Sequence, residues 1–282
     1  MGRGKKKVSA GRKSEKPRGG PHRSGRRPVS PQQSRNPFTS SPPGRWVIGW
    51  HSVHEALRVR PGKIGQICLR SEGPVDQAYS NIESQAETYR IPVEKMKGSH
   101  FDYLGSGHQG VACRVLETPE LDWDLLDEKE ISILIVLDEI EDPHNLGAVM
   151  RTAWLMGADG ILTPQVRSAE LTPTVGKIAS GGAEHIPVDT HANLPRALTL
   201  LKEKGFWIYG LEEKGSKDLW EVSFADKVAL VVGSEGRGIR TSVRGQCDQF
   251  VSIFQRQKGA SYNASVAASL ALGEFFRQHK TP

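Results

Sequence analysis

Three polar stretches hold the residues best suited to chemistry. The first, LDEIEDPHNLGAVMRTA, follows an apolar run, ISILIVLD, that stops in acid, proline, histidine and asparagine. A helical pattern then begins. Leu146, Val149, Met150, Ala153, Trp154 and Gly157 recur at the spacing of a buried stripe. Arg151 lies off that stripe, so packing does not account for it. Asn145 stands where an N-cap belongs, its side-chain oxygen able to take an orphan backbone N–H. A capped helix with a solvated arginine is one reading. The other is a ligand site, because α/β sheets bind ligands at the carboxyl ends of parallel strands.

The second stretch, KVALVVGSEGRGIR, ends a buried strand at Gly233, with Glu235, Gly236 and Gly238 close behind. Glycines at a strand tip permit positive φ and let a ligand approach the backbone. The stretch lacks Gly-Lys-Ser/Thr and G-x-G-x-x-G, which disfavours nucleoside triphosphates and dinucleotides. The third, FVSIFQRQKGASYNASVAAS, places Ser261, Asn263 and Ser265 at a helix start. Ala267, Ala268, Ser269 and Ala271 then make a slim helical surface, suited to close packing on another backbone or another subunit. Each of these stretches is also readable as a tight turn or a capped helix start.

The elements that must position them alternate. RWVIGWHSVHEALR reads as strand and helix, GQICLR as a strand, VDQAYSNIESQAETYR as a helix, and IPVEK and GVACRVLE as strands. This gives a small α/β unit over residues 45–116. TPELDWDLLDEKE, rich in acid and without a period, predicts an exposed linker over 117–130. Beyond it, strands are predicted at ISILIVLD, GILTP, HIPV, FWIYG, KVALVVG and QFVSIF. Helices are predicted at LGAVMRTAWLMG, LTPTVGKIA, LPRALTLLKEKG and SVAASLALGEFFRQH. Continuous apolar strands predict a parallel sheet covered on both faces across residues 131–282.

The net charge of +6 is uneven over the 282 residues. Residues 1–44 hold twelve Lys or Arg and one acid, Glu15, a surplus of +11 that leaves −5 for the rest. With few apolar residues, this segment predicts a disordered basic tail that binds a polyanion. No apolar run approaches the roughly 18 residues of a membrane span, and MGRGKKK leads into no secretory signal. Cys68, Cys113 and Cys247 are far apart, without a CxxC pair, which suits a cytoplasmic protein and disfavours disulfides or zinc. His51 and His54 sit one helical turn apart, but no third ligand is spaced to complete a metal site. No metal is expected.

Together and in this order, the three stretches resemble the SpoU branch of the SPOUT methyltransferases, with RSAELTPTVGKIASGGAEHIPV similar to the family's middle segment. VIGWHSVHEAL and HQGVACRV resemble the start and end of a small RNA-binding domain. That domain occurs in the subgroup that methylates a guanosine ribose 2′-hydroxyl of 23S-type ribosomal RNA. The resemblance implies a C-terminal trefoil knot, S-adenosylmethionine as cofactor and a homodimer whose sites are completed across the interface. It puts cofactor contacts on Gly233, Ile253 and Tyr262, and the polar catalytic set on Asn145, Arg151, Glu235, Ser261 and Asn263. Arg151 would engage the ribose hydroxyl, stabilise alkoxide charge or clamp the adjacent phosphate. The third stretch departs from the family pattern. Phe254 replaces a proline, Gln257 a glycine and Tyr262 a leucine, changes that bear on loop shape and cofactor affinity. Transfer RNA is the alternative substrate, and a catalytically silent ribosome-assembly factor the alternative of another class.

Overall fold

Four short strands make the first sheet: β1 (Arg45–Ile48), β2 (Ile64–Arg70), β3 (Val93–Met96) and β4 (Val111–Val115), in the order β1-β4-β2-β3. β4 runs antiparallel to both neighbours, and β2 pairs β3 in parallel. Helices α1 (Trp50–Val59) and α2 (Gln77–Thr88) bury Val53, Ala56, Leu57, Ile82 and Ala86 against it. In this computed structural model the described residues are Gly2, Asn36, Phe38, 44–73, 77–257 and 259–279. The expected basic tail otherwise lies outside them. Phe38, although within that stretch, is buried with its ring edge on Trp46, centroids 4.8 Å apart.

The stretch expected to be an exposed linker is partly built in. It holds a short helix, α3 (Leu125–Glu128), whose Leu126 is fully buried, and Trp123 donates its ring N–H to Asp189 at 2.7 Å. Apolar side chains spaced too sparsely to show a period still find the core.

The second sheet has seven strands, all paired in parallel: β5 (Ser132–Asp138), β6 (Gly160–Pro164), β7 (Val188–His191), β8 (Trp207–Leu211), β9 (Lys217–Asp218), β10 (Lys227–Gly233) and β11 (Gln249–Ser252). Their order is β7-β6-β5-β10-β8-β11-β9. β5 is buried at every position. Ile133, Ile135 and Leu137 enter one core, and Leu134 and Val136 the other. Side chains alternate between the faces, and both faces are covered, so the sequence shows an unbroken apolar run. Helices α4 (Pro143–Met156), α5 (Pro173–Ile178), α6 (Leu194–Glu203), α7 (Thr241–Arg244) and α8 (Ala264–Gln278) supply the cover.

Three expectations shift. HIPV is not a strand; β7 begins at its valine, after a 3₁₀ turn at Gly182–Glu184. β9 and α7 were not expected, being too short to show a period. The slim face of α8 is occupied within the chain: Ala268 and Ala271 are buried in the same core as Val149 and Ala153 of α4, and Ser269 Oγ lies 3.2 Å from Thr152 Oγ1. That face therefore does not of itself require a second subunit.

Buried polar contacts join the two sheets. Arg45 pairs with the buried Glu184 at 2.6 Å, Ser52 Oγ donates to the Gly176 carbonyl at 3.1 Å, and His185 meets Glu55 at 2.6 Å while stacking on Trp154. The Arg58 hydrogen bond holds the Glu55 carboxyl below its ordinary range; burial opposes this, and His185 adds to it.

Burial also sets the thiols. It pushes Cys68 and Cys247 up to about 12, and Cys113 upward as well. At pH 8 the thiolate fraction for a pKa near 12 is roughly 10⁻⁴, far below that of a free cysteine. Iodoacetamide at pH 8 is therefore expected to leave all three unmodified on the timescale that labels the urea-unfolded chain; fast labelling of the folded protein would contradict this. Among the described residues no helix is long and apolar enough to cross a membrane, and no group of His, Cys, Asp and Glu could hold a metal ion.

Candidate active site

The parallel register of β5 and β10 sets Asp138 beside Gly233, so the first two polar stretches emerge side by side at the carboxyl ends of central strands. The turn after β5 is capped by Asp142, whose carboxylate accepts from His144 N at 2.8 Å; Pro143 opens α4. This corrects the expectation for Asn145. The helix starts earlier, so Asn145 lies in its first turn, buried, with its side chain free for another use.

That use is a closed triangle of amides and acid. Asn145 Nδ2 donates to Glu235 Oε1 at 3.1 Å, and Asn263 Nδ2 donates to Glu235 Oε1 at 2.9 Å and to Asn145 Oδ1 at 2.8 Å. Asn263 caps α8 as well, its Oδ1 accepting from Ser265 N at 2.9 Å. Three residues far apart in the chain thus fix the start of α4, the glycine loop and the start of α8.

The glycine loop doubles back on itself. Ser234 and Gly238 exchange backbone hydrogen bonds of 3.2 and 2.8 Å, and Gly236 and Gly238 take φ of 84° and 69°. A Cβ on Gly233 would sit 2.2 Å from the Gly238 carbonyl carbon, so only glycine closes the turn. Cβ atoms on Gly236 and Gly238 would meet nothing within 4 Å, leaving their backbone open to a ligand.

Beside the loop lies a cavity of about 430 Å³, in the usual range for small-molecule sites. Gly233, Glu235, Ile253, Ser261 and Tyr262 all line it, with apolar walls from Leu211, Val232 and Ile239. The three residues expected to hold a cofactor therefore share one cavity. One of its substitutions closes the altered third stretch: Tyr262 Oη donates to the backbone carbonyl of residue Phe254 at 3.1 Å, fastening the loop between β11 and α8. Gln257 has no hydrogen-bond partner among the described residues.

Arg151 is not brought into this cluster. It is exposed, its side chain has no hydrogen bond or ion pair among the described residues, and it is absent from the cavity wall. It stands six residues along α4 from Asn145, about 9 Å of helical rise.

Sequence reasoning passed over a charged cluster next to the cavity. Asp138, fully buried, accepts from Arg240 Nε at 2.7 Å and from its backbone N at 2.8 Å. Glu139, also buried, adopts φ 57° and faces Arg167, Arg237 and Arg240. The available signal was two acids directly ending a buried strand, where an unpaired charge would be prohibitively costly. Glu212 and Arg244, an ion pair that also lines the cavity, were missed for want of any local pattern.

Residues 132–273 match the SpoU rRNA Methylase family model, and residues 46–120 match the model for RNA 2′-O ribose methyltransferase substrate binding. A provisionally assigned TrmH family tRNA/rRNA methyltransferase of Staphylococcus aureus strain MSSA476 is 37% identical, covering 82% of this chain and 95% of its own. One from Staphylococcus haemolyticus is 36% identical over the same shares. Among solved structures, the SpoU methyltransferase AviRb of Streptomyces viridochromogenes in complex with AdoMet superposes with TM-score 0.74 at 21% identity, over 83% of this chain and 89% of its own. An AdoMet-bound rRNA methyltransferase of Sinorhizobium meliloti gives 0.69 at 19% identity, over 84% and 88%.

Proposed function

The chain belongs to the SpoU rRNA methylase family, and on that premise we propose that it methylates a ribose 2′-hydroxyl of RNA, with S-adenosylmethionine bound in the cavity beside Gly233. The observation that carries this reading is the convergence of Gly233, Ile253 and Tyr262 on one cavity, with Glu235, Asn145 and Asn263 bracing its glycine loop.

The residues present fit that cofactor. Open backbone at Gly236 and Gly238 and apolar walls suit a flat adenine held by main-chain groups, while Ser261 and Glu235 offer polar contacts. When bound, it supplies an electrophilic methyl group on a sulfonium. The protein's part is to hold the 2′-hydroxyl in line with that group, since near-attack geometry removes much of the barrier. The triangle keeps the loop rigid, and Arg151 engages the hydroxyl or the charge that develops on it. Arg151 lies apart from the cavity of its own chain, which supports a homodimer in which one subunit's arginine serves the other's cavity. The family's C-terminal trefoil knot is part of the same reading.

We assign the substrate as a guanosine of large-subunit ribosomal RNA rather than transfer RNA. The reading is supported by the small sheet, whose residues match a substrate-binding domain and which is docked on the catalytic sheet through Arg45, Ser52 and Glu55. The test is to map ribose methylation in a strain lacking the protein and to assay purified protein with labelled cofactor. Loss of one ribosomal methyl mark, restored in vitro, is the expected result. A missing transfer RNA mark would move the substrate, and failure to bind cofactor in calorimetry would favour a silent assembly factor.

Deleting residues 1–44, with their surplus of +11, is expected to weaken RNA binding most at low salt without moving the modified nucleotide. A truncated protein that methylates a different nucleotide would contradict this.

A further inference from the structure

The charged cluster at the tip of β5 has no part in the chemistry described so far. Asp138 is saturated by Arg240, through Nε at 2.7 Å, Nη2 at 2.6 Å and the backbone N–H. Glu139 is not. It is 6% exposed, yet its nearest guanidinium contacts are Arg167 at 3.4 Å, Arg237 at 3.6 Å and Arg240 at 3.7 Å. A charge-assisted hydrogen bond is about 2.7–2.9 Å. The buried acid thus gathers three cations through one long hydrogen bond, from Arg167 Nη1, and two wider contacts, leaving most of their donors unspent.

Two of those cations are turned to solvent. The side chains of Arg167 and Arg237 are 59% and 66% exposed, and neither has a further hydrogen bond or ion pair among the described residues. Both Glu139 and Arg167 sit at φ 57°, a conformation that costs energy in a non-glycine residue and gathers at functional sites. Arg237 belongs to the glycine loop and lines the cavity. Three guanidiniums against two carboxylates leave one positive charge in surplus within the cluster, and one of the three, Arg237, reaches the cavity wall.

We propose that Arg167 and Arg237, drawn together by buried Glu139, grip a backbone phosphate of the RNA strand next to the nucleotide whose ribose enters the cavity. This rests on the RNA methyltransferase reading above and deepens it. Guanidiniums present a fork of donors matched to phosphate oxygens, and a phosphate supplies the charge the cluster lacks. The grip positions the strand; it does not choose the base.

The test is steady-state methylation by the full-length protein of large-subunit ribosomal RNA purified from a strain lacking it, comparing unaltered protein with the Arg167→Gln, Arg237→Gln and double variants. The double variant is expected to raise the RNA KM about tenfold or more, with kcat within about twofold, while Arg167→Gln, which lies outside the cavity wall, leaves the cofactor Kd in calorimetry unchanged. The slope of log KM against log salt should fall by about 0.7–0.9, the loss of one phosphate contact. Each single variant should show a smaller change in the same direction, which keeps the test decisive if the double variant folds poorly. An Arg167→Lys, Arg237→Lys protein should recover the salt slope but only part of the KM. An unchanged RNA KM and salt slope, or a fall in kcat alone, would overturn the proposal while leaving the enzyme assignment standing. Inactivity of the unaltered protein on this RNA would overturn both.

Discussion

Arg151→Ala lowers single-turnover methylation, at saturating RNA and cofactor, by about 10²-fold or more; that is the expected result if the side chain engages the reacting hydroxyl or its developing charge. The fold should not notice. Arg151 is exposed and without partners among the described residues, and such surface changes usually stay within about 0.5 kcal/mol. Cofactor affinity should also hold, because the arginine is outside the cavity wall. Its separation from that wall makes a sharper experiment possible. If a second subunit delivers the arginine, mixing Arg151→Ala chains with Gly233→Val chains, whose turn cannot close, restores one working site per mixed dimer. Two inactive proteins then give partial activity. A pure phosphate clamp would instead raise the RNA KM and spare kcat. Near-normal single-turnover rates in Arg151→Ala would leave only a solvated helix arginine, and inactivity of every mixture would place the arginine's action within its own chain.

What could be read before the structure was known, and what could not, follows from the range of each signal. β5 and β10 were legible because a strand buried on both faces is written as an unbroken apolar run. The stripe of α4 was legible for the matching reason at period 3.6, and it correctly left Arg151 outside the core. The start of that helix was misplaced because Asp142 and Asn145 are both good caps, and only the position of Pro143 at the first helical residue separates them. The error hid a function: in the first turn of α4 the Asn145 amide donates to Glu235, ninety residues away, a contact that no local pattern announces. Glu139 and its arginines were illegible for a different reason. Arg167 and Arg237 lie in loops after different strands, and no local period records a convergence made by sheet order. Tyr262 read as a defect against the family pattern, whereas its hydroxyl fastens the very loop whose shape was in doubt.

Removing the Glu235 carboxylate should have the second large effect, on cofactor rather than on chemistry. Glu235 Oε1 receives both the Asn145 and Asn263 amides, so Glu235→Ala leaves two donors with a lost acceptor and frees the glycine loop from the starts of α4 and α8. Asn145 is 5% exposed and cannot turn to water, whereas Asn263 keeps its bonds to Asn145 and Ser265. The exposure of Glu235 limits the stability cost to about 1–2 kcal/mol, the range for a lost hydrogen bond to a charged group near solvent. The cost to binding should be larger. The loop from Gly233 to Gly238 forms one wall of the cavity, and a loop that must be ordered by its ligand subtracts that ordering from the affinity. Calorimetry should therefore show the S-adenosylmethionine Kd rising tenfold or more, on the order of 1.4 kcal/mol. Glu235→Gln separates charge from geometry. Its amide oxygen can still accept from both asparagines, so an intermediate loss would assign the effect to the triangle's shape, and a loss equal to alanine's would assign it to the negative charge. A Kd within twofold of the unaltered protein in Glu235→Ala, with the melting temperature lowered as expected, would show that the triangle braces the fold and has no hold on the cofactor.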